Sequence, residues 1–169
     1  MAMQARLAGH PLHPALVHFP LALWFAAVFW DVVGWWQPDP LWWQMAYWCL
    51  ALGIVASLPA LVTGLLEYIG LRPDDAGLDT ATAHMMVMLS ATAAFGASWL
   101  VRARTGAALA PSVAALTLSG GGAALLAVGG WLGGTLVYRY GIRRTNAVPA
   151  DDRGKSRSAT APGKPGART

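Results

Sequence analysis

The sequence predicts an all-α integral membrane protein, a four-helix bundle with both termini in the cytoplasm. Three observations lead there. Of its 169 residues, 56% are hydrophobic and only 12% are charged, where a soluble domain carries about 25% charged residues. Four uninterrupted apolar stretches each reach the roughly 20 residues that a bilayer-crossing helix needs. No strand-like alternation of the kind found in membrane barrels is present. The formal net charge of +4 comes largely from the C-terminal tail and gives no reason to expect a nucleic-acid partner.

The four spans are expected at about 14–33, 41–68, 80–101 and 111–138. Pro14 suits the first turn of a helix, where a missing N–H costs nothing. Asp79 or Thr80 is positioned to cap the third helix and Pro111 to open the fourth. Pro20 and Pro59 fall inside their spans and should bend them locally. Arg6 before an apolar run resembles the start of a signal peptide. No small-x-small cleavage site follows, however, so the first span is read as a retained helix. Residues 1–13 then form a cytoplasmic lead-in, 14–142 the transmembrane domain, and 143–169 a basic tail. The tail is rich in Pro, Gly, Ser, Ala, Lys and Arg, cannot bury a core, and is expected to be disordered.

Orientation follows from the positive-inside rule. Arg6, Arg72, Arg139, Arg143 and Arg144 fall on the side of the termini, and only Arg102 and Arg104 fall on the other. The protein is thus expected as a multi-pass protein of the bacterial inner membrane. Trp30, Trp35, Trp36, Trp42, Trp43 and Trp48, with Tyr47, crowd the first hairpin and read as the outer aromatic belt.

Polar residues inside such spans are costly and point to function. His10, His13 and His18 cluster at the mouth of the first span, and His84 lies near the start of the third. The second span ends with Glu67. His18 and His84 each lie about four residues into parallel helices, at matched depth, while His10 and His13 are expected at the rim. Asp31 is placed at the opposite end as a hydrated interface residue. The plain alternative for His18 and His84 is a hydrogen bond to a neighbouring helix, worth about 1 kcal/mol, and for His10 and His13 an interfacial place in the proline-punctuated lead-in.

Two imidazoles facing each other across a bundle can supply both axial ligands of a b-type haem. The leading expectation is therefore haem b held by His18 and His84 in an electron-transfer protein with a redox partner. The glycines of the fourth span, Gly120–Gly122, Gly129, Gly130, Gly133 and Gly134, would let a flat macrocycle approach the backbone, although tight helix packing is their commoner explanation. A non-haem transition metal held by His10, His13, His18, Glu67 and His84 is the first alternative. A cofactor-free scaffold or proton path is the second, and a homo-oligomer is compatible with all three. Met85, Met86 and Met88 read as packing. Cys49 stands alone, so neither a disulfide framework nor a thiolate cluster is available. No phosphate-binding glycine loop, nucleophile motif or inverted transporter repeat is visible.

These motifs resemble the domain-of-unknown-function 2231 family of small bacterial membrane proteins. The residues that carry the resemblance are His10-Pro11-Leu12-His13-Pro14 leading into His18-Phe19-Pro20, Thr63-Gly64-Leu65-Leu66-Glu67, His84, and Gly133-Gly134-Thr135-Leu136-Val137-Tyr138 followed by Gly141. Together they cover roughly residues 9–142. The resemblance implies a four-helix membrane domain. Some members of the family are joined to cytochrome-like domains, which favours redox work. It supplies no settled activity and no catalytic residue. Position 67 is often Asp in the family, and Glu67 keeps the charge with a longer reach.

Overall fold

The computed structural model describes residues 6–7 and 10–141, with side chains from residue 12 onward. A two-residue antiparallel pair, β1 (Arg6–Leu7) with β2 (His10–Pro11), leads into five helices. These are α1 (Leu12–Leu16), α2 (His18–Trp36), α3 (Pro40–Ile69), α4 (Leu78–Thr105) and α5 (Val113–Tyr138). Helices α1 and α2 together make one span, so four stretches are long and apolar enough to cross a membrane. The expected tail at 143–169 lies outside the described residues.

The sequence accounts for most of the boundaries. Pro20 has no N–H to give to the Leu16 carbonyl, and the helix is interrupted at Val17, one turn earlier. Asp39 accepts a hydrogen bond from the Leu41 N–H at 2.8 Å and sits before Pro40 in the first turn, which fixes the start of α3. That helix then continues unbroken through Pro59. Ser112, rather than Pro111, caps α5 by accepting from the Ala115 N–H. At the start of α4 neither Asp79 nor Thr80 acts as the cap. Gly77 holds that position without a side-chain bond, and Asp79 falls in the first turn, where a carboxylate is favoured by the positive end of the helix dipole. Gly106, with φ of 110°, ends α4 in a conformation that a Cβ would strain.

The helices pair as two hairpins, α2 with α3 and α4 with α5, which pack side by side. Trp24, Leu50, Phe95 and Leu126 are the large buried side chains at their centre. Trp24 of α2 stacks on Phe95 of α4, with ring centroids 4.7 Å apart and planes at 15°. Gly53 and Gly122 allow this, since the Trp24 ring lies against Gly53 and the Phe95 ring against Gly122. The outward faces of α2 and α3 carry Phe19, Phe25, Val55 and Leu58, as a lipid-facing surface requires. Trp35, Trp36 and Trp48 are exposed, and Trp30 stacks on Trp42.

Candidate functional site

Both polar clusters of the bundle lie at helix ends, one at each. The histidine end is built by α1, the C-terminal half of α3, the start of α4 and the C-terminal half of α5. His13 is expected at the rim, but it is buried, at 9% exposure, because α1 turns it onto α3. Its Nδ1 donates to the Ala60 carbonyl at 2.8 Å and shares that proton with Thr63 Oγ1 at 3.2 Å. A carbonyl oxygen only accepts, so Nδ1 carries a proton. Thr63 Oγ1 is held in turn by the Pro59 carbonyl at 2.9 Å. Gly64 lies beneath the ring, and a Cβ there would stand 2.6 Å from Cε1.

His84 is held in the same manner. Its Nδ1 donates to the Gly129 carbonyl of α5 at 2.9 Å. Gly133 lies beneath the ring, where a Cβ would stand 3.2 Å from Cε1. In both cases the carbonyl residue and the supporting glycine are one helical turn apart, so the ring lies along the helix wall. Glu67, one turn beyond Thr63 and Gly64 on α3, is half-buried and has one carboxylate oxygen enclosed. The Tyr68 hydroxyl meets Thr82 Oγ1 at 2.9 Å, tying the end of α3 to the start of α4 two residues before His84.

The five residues expected as ligands therefore divide. His13, Glu67 and His84 are gathered at one end of the bundle. The backbone of His10 pairs with Leu7 three residues before His13. His18 opens α2 and is exposed on the outside of the bundle. Among the described residues, no group of three or more His, Cys, Asp or Glu is close enough to hold a metal ion as the side chains stand.

The opposite end holds a cluster that sequence reasoning missed. Asp31 is buried at 6% exposure, not hydrated at an interface, and Arg102 is buried at 3% inside α4 rather than in a loop. Arg102 Nη1 donates to Asp31 Oδ1 at 2.8 Å and Nη2 to Oδ2 at 2.7 Å, a bidentate pair. Its Nε–H and Nη2–H also reach Ser98 Oγ at 3.3 Å and Ser119 Oγ at 3.1 Å. Both hydroxyls donate to the Ala115 carbonyl at 2.8 and 2.7 Å. The pairing explains why α4 runs to Thr105 instead of ending at residue 101: the apolar run ends there, but a neutralised arginine extends the helix inside the bundle. The available signal was an acid near the C-terminus of α2, where the dipole disfavours it unless a cation answers.

The glycines of α5 also divide. Gly122, Gly129 and Gly133 face Phe95, Met88 and His84, whereas Gly120, Gly121, Gly130 and Gly134 have open space where a Cβ would be.

The model of one protein family, DUF2231, described as a predicted membrane protein, matches residues 9–146. No curated protein and no solved structure matches the chain at a significant level.

Proposed function

The protein belongs to the DUF2231 family of predicted membrane proteins, and on that footing we propose that it binds a transition-metal ion at the histidine end of its bundle. The observation that carries this reading is the pair of braced imidazoles. Metal-ligating histidines characteristically donate the second ring N–H to a main-chain carbonyl, which fixes the tautomer and orients the lone pair. His13 and His84 both do so. Glu67, one turn beyond Gly64 on the same helix, would supply an oxygen ligand, and the lead-in places His10 three residues from His13. Two nitrogens and a carboxylate suit a divalent first-row ion such as zinc or iron(II), with positions left for water or a further ligand. Iron would make the site a one-electron centre able to serve a redox partner, whereas zinc would not.

Elemental analysis of the detergent-purified protein tests the reading. One equivalent of metal per chain is expected, removed by chelator and lost in His13→Ala. Protein that purifies without metal and fails to take up zinc(II) or iron(II) on titration refutes it.

Haem b is the second reading, favoured at one position only. His84, braced through Nδ1 above Gly133, has the arrangement of an axial ligand, whereas His18 is exposed. A Soret band in the purified protein that disappears in both His18→Ala and His84→Ala would establish haem in place of the metal ion. In the proposed orientation the histidine end faces the cytoplasm of a bacterial cell. The burial of Arg102 supports this, because among the described residues it leaves only Arg104, in the last turn of α4, as an exposed cation on the other side.

A further inference from the structure

The metal reading rests on His13 and His84, and the rest of the bundle indicates how these two are related. Asp31 and Arg102 stand 71 residues apart. The same interval separates Trp24 from Phe95 and His13 from His84. Between α3 and α5 the interval becomes 69, and there too the roles repeat. Gly53 lies against the Trp24 ring and Gly122 against the Phe95 ring. Ala60 and Gly129 give the carbonyls that hold the two imidazoles, and Gly64 and Gly133 lie beneath them. Buried Ala46 has buried Ala115 as its counterpart. The change from 71 to 69 falls in the connections between the helices of each hairpin.

Residues at equivalent positions of two copies touch each other only where they straddle the two-fold axis that relates the copies. Trp24 with Phe95 and Asp31 with Arg102 are two such contacts, seven residues apart in the same direction on both helices. They fix an axis running along the bundle between α2 and α4. Followed back another 11 residues, roughly 16 Å of helix, it reaches the level of His13 and His84. We infer that α1–α3 and α4–α5 are two copies of one helical hairpin about an internal pseudo-two-fold axis, and that the metal ion proposed above sits on that axis with His13 and His84 as its equivalent ligands. The inference rests on the metal reading for the ion and on the repeat for the geometry.

The symmetry also separates the candidates. The counterpart of His18 is Leu89, and both are exposed, so His18 lies off the axis. The counterpart of Glu67 is Leu136, so only one copy contributes a carboxylate. The site is then two-fold in its nitrogens and one-sided in its oxygen ligand. At the far end of the axis the two copies carry opposite charges at equivalent positions, which allows Asp31 and Arg102 to pair where two identical side chains could not.

The test is intrachain crosslinking in native membranes of the full chain carrying Cys49→Ala. A short bis-thiosulfonate linker should join His13→Cys to His84→Cys, read as linked peptides by mass spectrometry, and should leave His18→Cys and His84→Cys unlinked. A second pair keeps both histidines in place: Ala27→Cys and Ser98→Cys, at equivalent buried positions between the two observed contacts, should form a disulfide on oxidation. Preferential linkage of His18→Cys to His84→Cys, or failure of the Ala27→Cys/Ser98→Cys pair to oxidise in folded protein, overturns the axis. Metal content separates the two claims. Equal loss of metal in His13→Ala and His84→Ala supports the shared site, and retention in either variant overturns it. Crosslinking as expected in a protein that takes up no metal leaves the axis standing and removes the metal reading.

Discussion

The two ends of the bundle use their polar side chains in opposite ways. At the tryptophan end, Asp31 and Arg102 face each other and Ser98 and Ser119 hold the guanidinium from the side, so the charges are consumed by one another. At the histidine end a main-chain carbonyl takes the Nδ1–H of each ring and holds the imidazole against its neighbouring helix. A closed cluster of that first kind resists change and offers little to a ligand. The second kind is rigid at its base, which is the preorganisation that the proposed binding site would need. The difference teaches that burial alone does not identify a functional site in a membrane bundle: Arg102 is the more deeply buried residue, yet it is the bracing of His84 that suits the proposed ligand role.

The largest expected effect tests the closed end. Arg102→Ala leaves Asp31 as an uncompensated buried charge and should cost about 3–5 kcal/mol. In detergent this would be read as a steep fall in thermal midpoint or in folded yield. Replacing both partners, Asp31→Leu with Arg102→Met, should recover most of that loss, because the desolvation cost disappears along with the attraction. If the double replacement is as damaging as the single one, the cluster does more than fold the protein, and the contrast between the ends fails. Neither variant should alter metal content in the fraction that folds.

A smaller effect is expected at the open end, and it should appear in binding rather than in stability. Gly64→Ala would bring a methyl group to 2.6 Å from His13 Cε1, so the ring must move. Displacing a braced ligand of this kind should weaken metal affinity on the order of 10-fold. Gly133→Ala, with 3.2 Å available, should weaken it less, and Gly130→Ala, where nothing stands near, should leave it unchanged. Titration of the apoprotein with zinc(II) gives the order directly. If Gly130→Ala weakens binding as much as Gly64→Ala, these glycines act through general helix packing and not through the rings above them.

Much of this was legible in the sequence, for reasons that differ by residue. The four spans follow from hydropathy, because lipid leaves a long apolar stretch little alternative to a helix. His84 and Glu67 were placed at the correct end by counting helix directions alone. His13 was misplaced because Pro14 and Pro20 suggest a broken lead-in, whereas the helical bond from the Val17 N–H to the His13 carbonyl, at 3.1 Å, survives between them. Arg102 was misplaced because a hydropathy window ends a span at the first charge and has no means of knowing that Asp31 is opposite. The interval of 71 was present in the sequence throughout. Trp24 and Phe95, or Asp31 and Arg102, do not look alike, however, and only their contact reveals that they occupy equivalent positions.

The smallest expected effect concerns the join between the two hairpins. Thr82 Oγ1 donates to the Leu78 carbonyl at 2.9 Å, so the Tyr68 hydroxyl must be the donor in its bond to Thr82. Tyr68→Phe removes that donor and leaves Thr82 satisfied within its own helix. The cost should be about 0.6 kcal/mol, the ordinary value for an interhelical hydrogen bond in a membrane protein. A double-mutant cycle of Tyr68→Phe with Thr82→Val, followed by unfolding in mixed micelles, isolates the pair. A coupling of that size assigns the bond to holding α3 against α4 and nothing more. A much larger coupling, accompanied by loss of metal, would mean that Tyr68 sets the position of neighbouring Glu67, and the histidine end would then be braced through its carboxylate as well as through its two rings.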